Sequence, residues 1–329
     1  MVTGVPRRPQ RALAGTACAL LLLAACGGGE QTAESANGKI PVTFAASAGA
    51  SSTGLVASVI KGEGLDAKHG LNMKVSEFAP DQAEQALLTG QVDTGFFGII
   101  SLAKVRSEGH DLTFMAPLQT NHGDVIVPAE SQVKHLEQLR GQKIATLNPV
   151  SGLYTTMQVL AAEIGLSWEE DFNVISAPPP ALVAFIEKNE VDGIVHFEPT
   201  TSQLLASGKY RSVMNLSEAW QQRTGRPLLM LGLAAEQSWI DENPEAARRL
   251  TATLRDATRL LSTDQELMAN YLERFGLEPE VVDTAKQRMA KIYITESAAK
   301  SAADARLILK RARELGIISE VPEPIFVSP

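Results

Sequence analysis

The sequence predicts an α/β protein built from two similar lobes, because one stretch of the chain occurs twice. The first copy runs from residue 52 to 98 and the second from residue 150 to 197. In each copy a hydroxyl residue and a glycine open a helix-like segment, and a Gly-Leu pair closes it. A Val-Asp pair then leads into an apolar strand, at Asp93 in the first copy and at Asp192 in the second.

The two copies match in spacing as well as in order. About 40 residues separate Thr53 from Asp93, and about the same number separate Ser151 from Asp192. The match is loose and shows no strict period, which excludes a solenoid array. Two similar lobes that face each other across a cleft indicate a protein that closes on a ligand.

Composition narrows the class of protein. The chain has 329 residues, of which 44% are hydrophobic and 21% charged, enough for a core that needs no disulfides or metals. The net charge of −8 and the absence of a Lys/Arg-rich run argue against a nucleic-acid-binding face. Aromatic residues make up only 5% of the chain, so a stacking platform for single strands is not expected.

Cysteine and histidine usage predicts no metal and no cofactor. Both cysteines, Cys18 and Cys26, lie within the first 26 residues, so the body of the chain has no thiol chemistry. The five histidines are scattered, and no two have the spacing of a metal-binding pair.

The N-terminal segment has the features of an export signal. Three arginines precede an apolar stretch, residues 12–25, that is too short to serve as a permanent membrane span. It ends in Leu-Ala-Ala-Cys, which resembles a bacterial lipobox with Cys26 as the lipidated residue. We therefore predict a lipoprotein signal peptide at 1–26 and a flexible tether at 27–38; an ordinary signal peptide or a short anchor is the alternative.

Strands and helices alternate along the rest of the chain, which predicts mainly parallel sheets with helices on both faces. Apolar strands at 122–128 and 228–234 are the expected crossings between lobes. We therefore assign residues 39–124 and 226–329 to lobe 1 and residues 125–225 to lobe 2. Ligands of such sheets bind beyond the carboxyl ends of the strands.

Two loops at matching positions are candidate ligand sites. Residues 50–53 and 148–154 each place hydroxyl groups and free backbone N–H groups at the start of a helix. This arrangement can hold an anion through hydrogen bonds and the helix dipole. The alternative is plain helix capping, in which the hydroxyls only satisfy the first turn.

A third candidate is the predicted strand end that carries His196 and Glu198. Glu198 could accept hydrogen bonds from a ligand, or it could be a helix-start acid beside a structural histidine. Asp93 and Asp192 are expected to form turns rather than bind a ligand. The sequence contains no Gly-x-Ser-x-Gly nucleophile elbow and no Gly-x-x-x-x-Gly-Lys phosphate loop.

Four segments, in this order, resemble the solute-binding proteins of ABC transporters. The branch is the nitrate/sulfonate/taurine and thiamine-pyrimidine-precursor group, and the resemblance covers about residues 40–315. The segments are Ala-Leu-Leu-Thr-Gly-Gln-Val-Asp-Thr-Gly (86–95), Leu-Arg-Gly-Gln-Lys-Ile-Ala (139–145), Val-Asp-Gly-Ile-Val-His-Phe-Glu-Pro (191–199) and Asn-Pro-Glu-Ala-Ala-Arg-Arg-Leu (243–250).

The resemblance implies a type II periplasmic-binding-protein fold with two hinge-crossing strands, whose closed, ligand-bound form docks on a permease served by an ATPase. It implies a monomeric extracytoplasmic protein, anchored through lipid on Cys26, that binds a small molecule without chemistry. The positions that match the family's ligand contacts are Ser47, Ser51, Ser52, Thr53, Phe97, Gly98, Asn121, Asp124, Asn148, Ser151, Gly152, Tyr154, His196 and Glu198.

Three departures from the family pattern affect the choice of ligand. Phe197 stands where the family often has tryptophan, and the candidate loops hold no Lys or Arg, which disfavours nitrate. The body also lacks the cysteine-rich motif of the pyrimidine-synthesising relatives. The remaining candidate ligands are a sulfonate, a carboxylate or a pyrimidine-like ring. The alternative functions are a ligand sensor for a membrane receptor, or a secreted hydrolase with Glu198 and His196 as acid and base.

Overall fold

The computed structural model describes residues 38–149 and 151–327. The predicted signal peptide with Cys26, and the predicted tether up to residue 37, lie outside the described residues. Within the described part, ten strands form two five-stranded sheets. No helix in these ranges is long and apolar enough to cross a membrane.

The first sheet has the strand order β2-β1-β3-β10-β4. Strand β1 pairs in parallel with β2 and β3, whereas β10 runs antiparallel to both β3 and β4. Strand β10, the last of this sheet in the sequence, therefore lies between the earlier strands β3 and β4. The strands are β1 (Ile40–Ser47), β2 (Leu71–Phe78), β3 (Thr94–Gly98), β4 (Leu112–Thr120) and β10 (Leu229–Glu236).

The second sheet repeats this plan with the order β7-β6-β8-β5-β9. Strand β6 is parallel to β7 and β8, and β5 is antiparallel to β8 and β9. Each sheet is therefore parallel over three strands, as the alternation of elements predicts, and antiparallel where a crossing strand enters. The strands are β5 (Gly123–Pro128), β6 (Lys143–Thr146), β7 (Asn173–Ser176), β8 (Gly193–Phe197) and β9 (Tyr210–Asn215).

The helices cover these sheets in two groups. Those that come before β5 or after β9 in the chain, apart from α8, are α1 (Ser52–Gly62), α2 (Leu65–Lys68), α3 (Pro80–Leu88), α4 (Ile99–Ser107), α9 (Gln237–Glu242), α10 (Pro244–Thr263), α11 (Gln265–Arg274), α12 (Pro279–Met289) and α13 (Ala298–Glu314). The second group consists of a 3₁₀ turn (Leu136–Leu139), α5 (Gly152–Glu163), α6 (Pro179–Glu187), α7 (Thr200–Ala206) and, directly after β9, α8 (Leu216–Thr224).

Two segments carry the chain between the sheets. The first joins β4 to β5 across residues 121 and 122, and the second joins α8 to β10 across residues 225–228. Each of these segments leads directly into one of the apolar strands predicted at 122–128 and 228–234. The exact lobe boundaries at 124/125 and 225/226 stay a prediction.

The hydrophobic core divides along the same lines. One cluster packs α1, α10, α11 and α12 on one side of the first sheet. A second cluster is continuous from the other side of the first sheet, through α4 and α13, to α5 and the second sheet. Apolar contacts between α4 and α5 therefore join the two halves.

The repeated stretch is present in the structure with a different register from the one the sequence suggests. Ser51 caps α1, its Oγ accepting from Gly54 N at 3.0 Å. Ser151 caps α5 in the same way and accepts from Tyr154 N at 3.2 Å. The equivalent of Ser151 is therefore Ser51 rather than Thr53, because the capping hydroxyl, and not the following glycine, sets where each helix starts.

The Val-Asp pairs have matching structural roles. Asp93 accepts hydrogen bonds from the backbone N–H and the hydroxyl of Thr43, at 2.7 and 2.6 Å. Asp192 accepts from the backbone N–H of Lys143 at 2.9 Å. Each carboxylate therefore ties the turn before β3 or β8 to the neighbouring β1 or β6.

These contacts predict unequal effects for equal substitutions. Asp93→Ala removes two charge-assisted hydrogen bonds at a half-buried site and should lower the free energy of unfolding by about 2 kcal/mol. Asp192→Ala removes one bond at an exposed site and should cost less than about 1 kcal/mol. Urea unfolding of both variants measures the difference; equal costs would contradict this account.

Candidate functional site

A cavity of about 750 Å³ lies between the two sheets. It is bordered by the ends of β1 and β4, by α3 and α4, and by the starts of α1, α5 and α6. Its volume falls within the range of small-molecule sites, and its position beyond strand ends is the usual one for α/β sheets. The cavity is thus formed jointly by the two halves of the molecule.

Hydroxyl groups at the start of α1 form one wall. Ser51 Oγ donates to the carbonyl of Ser47 at 3.1 Å, and Thr53 Oγ1 accepts from the backbone N–H of Ser47 at 3.3 Å. Ser52 and Thr53 are buried at this wall. These local bonds fix the loop between β1 and α1 and hold the hydroxyls in place.

The opposite wall is the loop between β6 and α5. Asn148, Ser151 and Gly152 border the cavity there. A Cβ built on Gly152 would lie 3.9 Å from the Cα of Gly98, at the start of α4 in the other half. The two backbones therefore approach closely at this edge. A helix starts at each wall, and the first N–H groups of each helix have no acceptor within the helix.

The floor of the cavity is polar but uncharged. Gln119, at the end of β4, donates through Nε2 to Ser52 Oγ at 3.0 Å, and this nitrogen lies 3.5 Å from His122 Nδ1. His122 packs edge-on against Phe197, with ring centroids 6.0 Å apart. Burial lowers the pKa of His122 to about 4, so its imidazole is neutral at pH 7.

Among the described lining residues, the charged ones, Glu84, Lys104 and Glu108, all lie on the side of α3 and α4. Glu84 Oε1 accepts from the backbone N–H of Gly98 at 2.9 Å, and the other two side chains are exposed. The inner surface therefore offers hydroxyl, amide, imidazole and apolar groups rather than ionic ones.

Eight of the fourteen sequence-predicted site residues border this cavity, and six do not. Those that border it come from both halves and are Ser47, Ser51, Ser52, Thr53, Phe97, Asn148, Ser151 and Gly152. Those outside the lining are Gly98, which lies at its edge close to Gly152, and Asn121, Asp124, Tyr154, His196 and Glu198.

Asp124 and Glu198 do not reach the cavity because they pair with Arg288 of α12. Arg288 Nη2 donates to Asp124 Oδ2 at 2.6 Å, and its Nε donates to Glu198 Oε1. Ser212 and Ser202 donate to the same two carboxylates, each at 2.6 Å. Both acidic side chains are 1% exposed, whereas that of Arg288 is 28% exposed.

This ion cluster joins the two halves of the molecule. Helix α12 belongs to the core of the first sheet, whereas Asp124 lies in β5 and Glu198 follows β8. Burial raises the pKa of Asp124, and the positive charge of Arg288 opposes that rise. Burial lowers the pKa of Arg288, but the two carboxylates more than compensate and hold it above its usual value.

The other residues placed away from the cavity also have local roles. His196 Nδ1 accepts from the backbone N–H of Phe197 at 2.8 Å, and the ring borders a separate cavity of about 500 Å³ near α6 and α7. Tyr154 donates its hydroxyl to Glu169 at 2.7 Å. Asn121 Oδ1 accepts from Gly123 N at 2.8 Å and shapes the crossing segment.

Sequence reasoning missed Gln119, His122 and Arg288. Gln119 carries a weak signal, because it is a polar residue near the end of an otherwise apolar strand. His122 lies in the crossing segment, between the predicted site residues Asn121 and Asp124. No sequence signal marks Arg288, since it meets Glu198 only through tertiary packing.

Comparison with known proteins identifies the family to which this arrangement belongs. Residues 41–274, most of the chain, match the NMT1-like family. The chain belongs to the NMT1-like family.

Curated relatives of this family member are nitrate transport proteins. The nitrate import ATP-binding protein NrtC of Synechocystis sp. is 25% identical over 190 residues, covering 55% of this chain and 27% of NrtC. The nitrate/nitrite binding protein NrtA of Nostoc sp. is 29% identical over 101 residues, covering 31% of this chain and 22% of NrtA. The matches thus span about a quarter of the length of these relatives.

Solved structures share the fold over nearly the whole chain. The alkanesulfonate-binding protein SsuA from Xanthomonas axonopodis pv. citri, bound to MOPS, matches with a TM-score of 0.74 at 18% identity, covering 88% of this chain and 98% of SsuA. The periplasmic nitrate-binding protein NrtA from Synechocystis PCC 6803 matches with a TM-score of 0.62 at 14% identity, covering 85% and 82%. The two-lobe periplasmic-binding-protein fold predicted from the sequence is therefore confirmed.

The ion cluster predicts a large cost for removing its cation. Arg288→Met leaves two buried carboxylates without a counter-charge and should lower the free energy of unfolding by about 3–5 kcal/mol. Lys286→Met, on the same helix, removes only a pair with the exposed Asp283 and should cost less than about 1 kcal/mol. Chemical denaturation compares the two variants.

Neutralising Asp124 and Glu198 tests whether their uncompensated charge causes the loss of stability in Arg288→Met. Adding Asp124→Asn and Glu198→Gln to Arg288→Met should recover part of the lost stability, because the uncompensated charges are then gone. An Arg288→Met cost no larger than that of Lys286→Met would contradict the assignment.

The buried histidine predicts a pH dependence of stability. Because the pKa of His122 is about 4 in the fold, against 6.5 in an unfolded chain, the unfolded state binds more protons between these values. His122 should therefore cost up to about 3 kcal/mol of stability as the pH falls from 6.5 to 4.

Unfolding measured across this pH range should show a smaller decline for His122→Gln than for the unsubstituted protein. The decline does not vanish, because burial also lowers the pKa of His196. His135→Gln, at an exposed position, is the matched control and should leave the profile unchanged. A His122→Gln profile identical to that of the parent would refute the assignment.

Proposed function

We propose that this protein is an extracytoplasmic solute-binding lipoprotein of an ABC importer, which captures a small organic solute between its lobes. The observation that carries the proposal is the cavity formed jointly by both sheets, with the N-termini of α1 and α5 on opposite walls. A solute that contacts both walls stabilises the closed arrangement over an open one. Residues 39–124 with 226–329, and 125–225, are the proposed moving lobes.

The cavity chemistry supports an organic solute. Its volume of about 750 Å³ suits a small organic molecule, and an anion as small as nitrate would fill little of it. Apolar groups such as Phe97, Leu153 and Phe197 occupy much of the lining and can cover a carbon skeleton. A sulfonate, a carboxylate or a pyrimidine-like ring could each accept hydrogen bonds from the two helix starts.

The relatives support the transport role. SsuA and NrtA are named as binding proteins, and NrtC is named as the ATP-binding protein of nitrate import. By analogy we propose that this chain works as a monomer, anchored by lipid on Cys26, and delivers its solute to a permease with its ATPase. A sensor that presents the same closed form to a membrane receptor is the second candidate.

The placement of His196 and Glu198 argues against the hydrolase that sequence reasoning keeps open. Glu198 is bonded to Arg288 and Ser202, and His196 borders a different cavity. Neither group borders the large cavity, so they could not act there as an acid–base pair.

Ligand binding can be tested by calorimetry and thermal shift with sulfonates, aromatic carboxylates, pyrimidines and nitrate. A solute present at ~100 times its Kd should add roughly 2.7 kcal/mol of stability. Ser151→Ala removes a helix cap that borders the cavity and should weaken binding about tenfold.

Ser297→Ala is the matched control, because Ser297 caps α13 away from the cavity. It should lose similar stability, about 1 kcal/mol, but keep the parent's affinity. Equal affinities in the two variants would show that the start of α5 does not contribute to solute binding. Turnover of a ligand into product, in place of saturable binding, would sink the transport proposal.

A further inference from the structure

The end of α12 is bonded to the chain on both sides of the first crossing segment. Ile292, three residues after the helix, accepts through its carbonyl from the backbone N–H of Thr120 at 2.9 Å, on the side of the first half. Arg288, in the last helical turn, donates to Asp124 at 2.6 Å, on the side of the second half. These two bonds therefore bracket residues 121 and 122, where the chain passes from one sheet to the other.

The segment that follows α12 is fixed to the first half. Ile294 donates its backbone N–H to the carbonyl of Leu118 at 2.9 Å, so residues 292–294 extend the first sheet beside the end of β4. Tyr293, which is 6% exposed, donates its hydroxyl to the carbonyl of Ser52 at 2.9 Å. The end of α12 is therefore tied to β4 and to the start of α1, which forms one wall of the cavity.

Arg288 extends from this fixed segment into the second half. It bonds Asp124 of β5 and Glu198 after β8, and among the described residues it is the only cation paired with either carboxylate. A rotation of one sheet relative to the other about residues 121 and 122 moves the donor away from both acceptors. Because hydrogen bonds weaken steeply beyond about 3.2 Å, both bonds can be kept only over a narrow range of hinge angles.

The other contacts between the halves restrict this angle less. Arg311 of α13 lies 2.9 Å from Glu163 of α5, but their side chains are 40% and 20% exposed, and such ion pairs contribute little. The contacts between α4 and α5 are apolar and therefore non-directional. The two carboxylates at Arg288 are only 1% exposed, so separating them from their cation is costly.

The cluster is intact in the arrangement that brings the cavity walls together. In this arrangement a Cβ on Gly152, at the start of α5, would lie 3.9 Å from the Cα of Gly98, at the start of α4. Both bonds of Arg288 and the close approach of the walls therefore occur at the same hinge angle.

We propose that Arg288 is a positioning residue for solute binding, which latches the hinge at the angle where both cavity walls reach one solute. Arg288 itself does not border the cavity. The inference rests on the proposed function in taking this cavity to be the solute site. When the latch is removed, the fraction of closed molecules should fall, and the apparent affinity falls in proportion to that fraction.

Distances between spin labels test the latch without any solute. Labels would be attached through Glu108→Cys and Ser176→Cys, exposed residues that border the cavity from different halves, in a chain carrying Cys18→Ser and Cys26→Ser. Arg288→Lys keeps the positive charge, but one ammonium group cannot reproduce two bonds made from separate nitrogen atoms. It should add a population with a longer distance between the labels.

A second latch variant keeps the test decisive if Arg288→Lys does not fold. The triple variant Arg288→Met, Asp124→Asn, Glu198→Gln removes the bonds and the buried charges together, and it should show the same longer distance. Arg311→Lys, at the exposed pair between the halves, is the matched control and should keep the distance distribution of the parent.

Calorimetry on the unlabelled proteins tests the effect on binding, with benzenesulfonate, benzoate, uracil and nitrate as probes. If the closed fraction falls to about a tenth, a probe that binds the parent should bind Arg288→Lys about tenfold more weakly. Arg311→Lys should keep the affinity of the parent. Asp93→Ala, which weakens the fold away from the cavity and the cluster, should also keep it, which separates a latch from a general loss of stability.

The outcomes separate this inference from the proposed function. Unchanged label distances in both latch variants overturn the inference, and binding of any probe to the parent leaves the proposed function standing. Longer distances with unchanged probe affinity overturn the role of Arg288 in binding, as does an equal loss of affinity in Asp93→Ala. If no probe binds the parent, the proposed function fails and with it the role in binding, while the label distances still decide whether Arg288 sets the hinge angle.

Discussion

The contact on which the two-lobe arrangement depends is the ion cluster of Arg288 with Asp124 and Glu198. The two carboxylates are fully buried in the second half of the molecule, and a helix from the first half supplies their counter-charge. Buried charges are costly without partners, so the position of α12 relative to β5 and β8 is closely constrained. The cavity adjoins this cluster along the crossing segment. His122, two residues before Asp124, forms part of the cavity floor, and the positive charge of Arg288 contributes to lowering its pKa.

The position of these charged groups outside the cavity fits the uncharged character of its floor. The acidic and basic groups near the crossing segment pair with one another outside the cavity, and hydroxyls, amides and helix N-termini border it instead. Such groups recognise hydrogen-bonding pattern and shape more than net charge. Because the walls come from both halves, the contacts that select the solute are also the contacts that hold the lobes together.

The sequence predicted the local features of the site well where one short segment contains all of the information. The cap of α5 by Ser151 is of this kind, because it depends on residues within one helix start. Asp93 and Asp192 form turns as predicted, but their bonding partners, Thr43 and Lys143, lie 50 and 49 residues away in the chain. The sequence could not show which polar side chains would be paired with partners distant in the chain. Glu198 has the features of a ligand contact until Arg288, 90 residues later, is found bonded to it.

The sequence by itself determined the class of fold, the duplication of the α/β unit, and the two crossing strands, since these follow from periodicity, capping residues and the order of elements. Only the tertiary structure decided which polar groups meet the cavity. Gln119 and His122 border it, whereas Asp124, Tyr154, His196 and Glu198 are satisfied by neighbours. The physical reason is that a polar side chain becomes available to a ligand only when the packed structure leaves it without a partner, and packing is not encoded in local pattern.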